Sequence, residues 1–142
     1  MGAPTAAGHR SMPHTADVRI EAWGPSREAC TAEAVAAMVD GFADVTGAPT
    51  VASVDFRIPP GSDEDLLAGV LDQVIYLLDT TGQLPIGADV APCDGGVDVR
   101  LRMTGTEHAE LVGAVPKAVS LHELRVDHSP DGGWSCAATL DV

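Results

Sequence analysis

The chain has 142 residues, 45% hydrophobic but only 4% aromatic, with 21 carboxylates against 8 lysines and arginines and a net charge of −13. A domain of this length buries roughly two-thirds of its unfolded surface, and no apolar run approaches the roughly 20 residues of a membrane helix. The charge works against direct, sequence-independent nucleic-acid binding, which needs basic patches; it suits a basic protein partner, a metal ion, or solubility alone.

Residues 1–12 are mostly Gly, Ala, Pro and Thr. They lack the apolar centre of a signal peptide and read as a disordered tail on a cytoplasmic protein, leaving one domain over 13–142. From Asp17 to Trp23, Val18, Ile20 and Ala22 alternate with Asp17, Arg19 and Glu21, the pattern of a half-buried strand. Gly24-Pro25 breaks it and Ser26 can cap a helix running to about Ala43, with Cys30, Ala34, Ala37, Met38, Gly41 and Phe42 on one stripe. A second strand alternates over Val51–Ile58 and stops at Pro59-Pro60.

Ser62 and Asp65 form a capping-box pattern, with three carboxylates at the positive end of the following helix. Leu66, Leu67, Val70, Leu71, Val74, Leu77 and Leu78 give that helix a broad apolar stripe, and Thr81-Gly82 ends it. Ile86–Ala91 is a weak strand, Asp94-Gly95-Gly96 a tight turn, and Val97–Met103 a strong strand. Residues 107–115 read as loop. The apolar phase changes at His122-Glu123 within Val119–Val126, which calls for a bulge or kink. After the Pro130–Gly133 turn, Trp134, Cys136, Ala138, Leu140 and Val142 alternate as the last strand. The order predicts an α+β, two-layer domain: two helices packed on a largely antiparallel sheet.

Cys30, Cys93 and Cys136 are an odd, scattered set, against both a disulfide framework and a structural zinc site. Cys30 and Cys136 read as small core residues. Asp63, Glu64, Asp65, Asp72 and Asp79 read as helix-start or solvated residues, and His9, His108 and His128 show no informative spacing.

Asp17 begins the first alternating strand and Asp141 ends the last, each on the polar side. If those strands are antiparallel neighbours, the two carboxylates converge, together with the terminal carboxylate of Val142. Three hard oxygen donors suit calcium or magnesium, and carboxylates held that close repel unless a cation joins them. The bland alternative is a pair of solvated strand ends. His14 is either a ligand or acid/base group, or a residue that orients the local turn.

Three phrases in chain order, His14-Thr15-Ala16-Asp17, Lys117-Ala118-Val119-Ser120-Leu121-His122 and Leu140-Asp141-Val142, resemble the archease family over nearly the whole chain beyond the first dozen residues. The resemblance implies an archease-like α+β fold and a non-enzymatic activator of an RtcB-type RNA-splicing ligase, which promotes nucleotide loading and multiple turnover. It implies a metal site at Asp17, Asp141 and Val142, with calcium the expected cation and magnesium or manganese the alternatives. It further implies a partner-contacting face with Lys117, His14 and His122. Leu121 departs from the family phrase, which has Tyr there. Two other functions fit parts of the pattern: a stand-alone metal-dependent hydrolase, and a broad chaperone of RNA-modifying enzymes.

Overall fold

The computed structural model describes residues 6–13 and 17–142. In chain order its elements are β1 (Gly8–Pro13), β2 (Asp17–Gly24), α1 (Arg27–Asp40), β3 (Ala43–Asp44), β4 (Ala52–Ile58), α2 (Asp63–Thr81), β5 (Gln83–Cys93), β6 (Gly96–Gly105), β7 (Glu110–Leu111), β8 (Ala118–His128) and β9 (Trp134–Asp141). All the strand pairings are antiparallel. They make one sheet of order β1-β2-β9-β8, a second of order β4-β6-β5, and the short β3-β7 ribbon.

The expected single sheet is thus two sheets, and each helix touches both. α1 packs on β1, β2 and β9 of the first and on β5 of the second; α2 packs on β8 of the first and on β4, β5 and β6 of the second. The helices carry the reason. Cys30, Thr31, Ala34, Val35, Ala37, Met38 and Val39 of α1 are all buried, which covers more than half the helix circumference. Leu66, Leu67, Ala68, Val70, Leu71, Val74 and Leu77 do the same on α2. Alternation within a strand marks its buried face but carries no information about which strands share a sheet.

Local chemistry fixes the ends. Ser26 Oγ accepts the Ala29 N–H at 3.0 Å at the start of α1, which ends at Asp40 rather than near Ala43. Phe42 and Ala43 then join Val39 and Leu84 in a smaller apolar cluster. The capping box of α2 forms as expected: Ser62 Oγ accepts the Asp65 N–H and the Asp65 carboxylate accepts the Ser62 N–H. Asp63, expected to be solvated, takes an ion pair from Arg27 at 2.8 Å and ties the two helix starts together. Asp94 (φ 48°) and Gly95 (φ 87°) supply the two positive φ angles of a two-residue hairpin between β5 and β6. Most of 107–115 is loop, apart from the end of a 3₁₀ turn and β7. Cys30 and Cys136 are buried free thiols with their sulfurs 3.2 Å apart. Their mutual hydrogen bond, and then burial, push the Cys136 thiol far up.

The phase change in 119–126 is a bulge. Ser120 pairs with Thr139 and Arg125 with Ala137, so residues 121–124 stand against Ala138 alone. Glu123 takes a positive φ of 61° there.

The expected tail to residue 12 does not hold from Gly8 on, because Gly8–Pro13 is a strand paired along β2. Its sequence has no alternation; side-chain contacts to the rest of the protein hold it. His9 stands between two carboxylates of α1, Nδ1 2.7 Å from Glu33 and Nε2 2.7 Å from Asp40. Arg10 pairs with Glu21 at 3.2 Å and lies over the Trp23 ring. Burial pulls the His9 pKa down, but the hydrogen bonds and charges of Glu33 and Asp40 outweigh it and leave the pKa above the ordinary 6.5. A raised folded-state pKa gives stability that is complete below the unfolded value and lost as pH rises through the folded one. Amide exchange in residues 8–12, after correction for its intrinsic pH dependence, is therefore expected to be slowest below pH 6.5 and to speed up as His9 deprotonates. His9→Gln should flatten that profile; a profile unchanged by the substitution would show that His9 does not hold the strand.

Candidate functional site

β9 lies inside the first sheet, between β2 and β8. The start of β2 therefore meets the end of β9, and Asp17 pairs directly with Asp141. On the other side Asp141 pairs with Ala118, and its carbonyl accepts the Lys117 N–H at 2.7 Å. Directly opposed residues of an antiparallel pair project to the same side, with Cβ atoms about 4.5–5.5 Å apart. The register follows from the apolar alternation: Val18 opposes Leu140, Ile20 opposes Ala138 and Ala22 opposes Cys136. With that set turned to the core, the odd-numbered Asp17 and Asp141 fall on the opposite side.

Asp17 is half-buried, Asp141 exposed and Val142 half-buried. Among the described residues neither aspartate has an ion-pair partner. The donor set consists of hard oxygens and fits calcium or magnesium. No group of three or more His, Cys, Asp or Glu side chains that could hold a metal occurs among the described residues, so from those residues a cation here would need backbone, chain-end or water oxygens beside the two aspartates.

The other expected site residues divide. Lys117 adjoins Asp141 through its backbone and is exposed. His122 is not brought there: it lies in the β8 bulge, its N–H on Ser120 Oγ at 3.2 Å, beyond the part of β8 that pairs with Asp141. Leu121 beside it is 77% exposed, so the position that departs from the family phrase is a surface one. His14 lies outside the described residues.

A group that sequence reasoning set aside also reaches this end. Asp72 of α2 meets β8, where the Val119 N–H donates to its carboxylate. Loss of water against β8 outweighs that hydrogen bond and raises its pKa, although the side chain as a whole stays exposed. A tertiary contact of this kind leaves no trace in helix periodicity.

Lys117 is the only lysine of the chain. All seven arginines lie in ion pairs with carboxylates, and Lys117 is the one lysine or arginine side chain among the described residues without such a pair. It therefore offers its charge outward, beside a carboxylate pair. No described helix is long and apolar enough to cross a membrane.

Comparison with known proteins gives the arrangement a context. Residues 9–142 match the model of the Archease protein family (MTH1598/TM1083). The chain is 50% identical over 138 residues to a "Probable protein archease" of Mycobacterium tuberculosis, covering 97% of this chain and 76% of that protein. It is 29% identical over 136 residues to the "Protein archease" of Archaeoglobus fulgidus, covering 94% and 98%. Its fold matches the solution structure of Methanobacterium thermoautotrophicum protein 1598 with a TM-score of 0.73 at 21% identity, over 95% of this chain and 99% of that one. The printed names of these proteins state no reaction. With a family match that takes in both carboxylate-bearing strands and half of its residues shared with a mycobacterial relative, the chain belongs to the archease family.

Proposed function

We infer that this protein is a non-enzymatic activator of an RtcB-type RNA-splicing ligase, working in the cytoplasm in tRNA splicing and RNA repair. Family membership supports the class of function. The observation that carries the site is the direct pairing of Asp17 with Asp141. In this reading Asp17, Asp141 and Val142 hold a divalent cation, calcium first and magnesium or manganese as alternatives. The cation supplies positive charge that an otherwise acidic surface lacks. The chain's own residues then bind and orient: the aspartates fix the cation at the sheet end, and Lys117, His14 and His122 contact the ligase. The protein promotes nucleotide loading and repeated turnover while the ligase performs the transfer. A net charge of −13 keeps it from competing for RNA, since phosphate binding needs basic patches.

The test is multiple-turnover RNA joining by the ligase of the same organism, with and without this protein. Wild type should carry the ligase beyond one round of product per enzyme. Asp17→Ala and Asp141→Ala should each lower that stimulation at least about tenfold, the scale of losing a charge-assisted contact worth ~1.5–3 kcal/mol. A ligase that turns over equally well without the protein, or equally well with both variants, would contradict the reading.

A further inference from the structure

Beside the aspartate pair, α2 and the segment leading into β8 enclose an open groove of about 650 Å³. One wall is a stripe on α2, Asp72, Tyr76 and Asp79, at the spacing that stacks side chains along one helix face. The other wall is Val115, Pro116 and Lys117, whose N–H holds the Asp141 carbonyl.

Three features of this groove are not explained by folding. Tyr76 is the only tyrosine of the chain, yet it is 59% exposed. Asp79 has no ion-pair partner among the described residues, in a protein whose arginines are all engaged elsewhere. Val115 adds an exposed apolar side chain facing the same space. An aromatic face flanked one turn away on either side by carboxylates is complementary to a guanidinium. The planar cation stacks on the ring, and its forked N–H groups meet a carboxylate in the same plane. A lysine ammonium has neither the plane that lies flat on the ring nor the fork that meets a carboxylate with two parallel bonds, so it fits this pairing less well.

We propose that this groove docks an arginine-bearing segment of the protein partner, with the guanidinium on Tyr76 and paired to Asp79, and with the apolar flank of the segment against Val115. Lys117 on the facing wall confines the cation to the α2 side and leaves its own charge for an acidic neighbour of that arginine. The net charge of −13 draws a basic segment in from a distance. The assignment rests on the activator reading in taking the ligase as the partner; the chemistry of the groove itself does not.

Two measurements separate those claims. The first is an ¹H–¹⁵N titration of the full chain with N-acetyl-arginine amide, beside N-acetyl-lysine amide. The arginine probe should shift amides of residues 72–79 and 115–118, more strongly than the lysine probe, and Tyr76→Ala and Asp79→Asn should each abolish those shifts in spectra that otherwise remain folded. Absence of shifts in this groove, equal response to the lysine probe, or shifts that survive both variants would overturn the arginine site. The second is binding of the ligase. Each variant should weaken it about fivefold to tenfold, the scale of an interface hot spot, and unchanged affinity would overturn the docking role. A ligase that does not bind wild type would sink the activator reading, while the titration still decides the groove.

Discussion

Leu71→Ala is expected to lower the stability of the fold by about 2–5 kcal/mol, the usual cost of emptying a buried leucine site. Leu71 sits mid-way along α2, is 0% exposed, and belongs to the cluster formed by both helices and both larger sheets. An element packed on two sides has no open flank through which neighbours can collapse into the space, so the upper half of that range applies. At roughly 2–4 °C per kcal/mol for a chain of this size, the melting temperature should fall by roughly 7–20 °C. Thermal and urea unfolding measure both quantities. A loss below about 1 kcal/mol would mean that α2 is covered on one face only and that the two-sheet arrangement is wrong.

Gly96→Ala is the second large effect. Gly96 follows the two-residue turn into β6, and an added Cβ would run into the Ile58 carbonyl oxygen, with the Pro59 carbonyl carbon 2.9 Å and the Pro60 nitrogen 3.1 Å away. These are backbone atoms at the end of β4, held by pairing of Ile58 with Val97, so no rotamer change relieves the clash. Overpacking against side chains costs about 1–3 kcal/mol, and a backbone obstacle places this substitution at or above the top of that range. Denaturant titration should show a large fall in midpoint. A neutral result would show that β4 and β6 separate more easily at this end than their register implies.

Much of this fold is legible in the amino-acid order because local rules act alone there. Ser62 and Asp65 specify the start of α2 through two reciprocal hydrogen bonds, and Asp94-Gly95 specify a hairpin through two positive φ angles. The mismatch of Val119 with Leu124 and Val126 locates a bulge, since a period of two cannot otherwise keep all three against the core, while Leu121 within the bulge turns to solvent. The convergence of Asp17 and Asp141 is also legible, but only conditionally: strand ends meet if the strands are neighbours, and nothing local decides neighbours. The division into two sheets is illegible for the same reason. β1 is illegible because its order comes from Glu33, Asp40, Glu21 and Trp23, residues remote in sequence. The contact of Asp72 with β8 and the solvent-facing position of His122 depend likewise on where β8 lies against α2 and on the shape of its bulge.

The activator reading turns on whether two aspartates 124 positions apart (141 − 17), paired by strand register, hold a cation together with the Val142 carboxylate. Calorimetric titration of calcium into the chelator-stripped protein tests it most directly, with Asp17→Asn and Asp141→Asn in parallel and manganese as a second cation. Each substitution keeps the side-chain size and removes one charge, so a folded protein with an altered site is expected. Wild type should bind one cation per chain, and each variant should lose at least about tenfold in affinity, since a divalent ion held by so few charges depends on each of them. No binding by wild type, or binding that both variants retain, would contradict that reading.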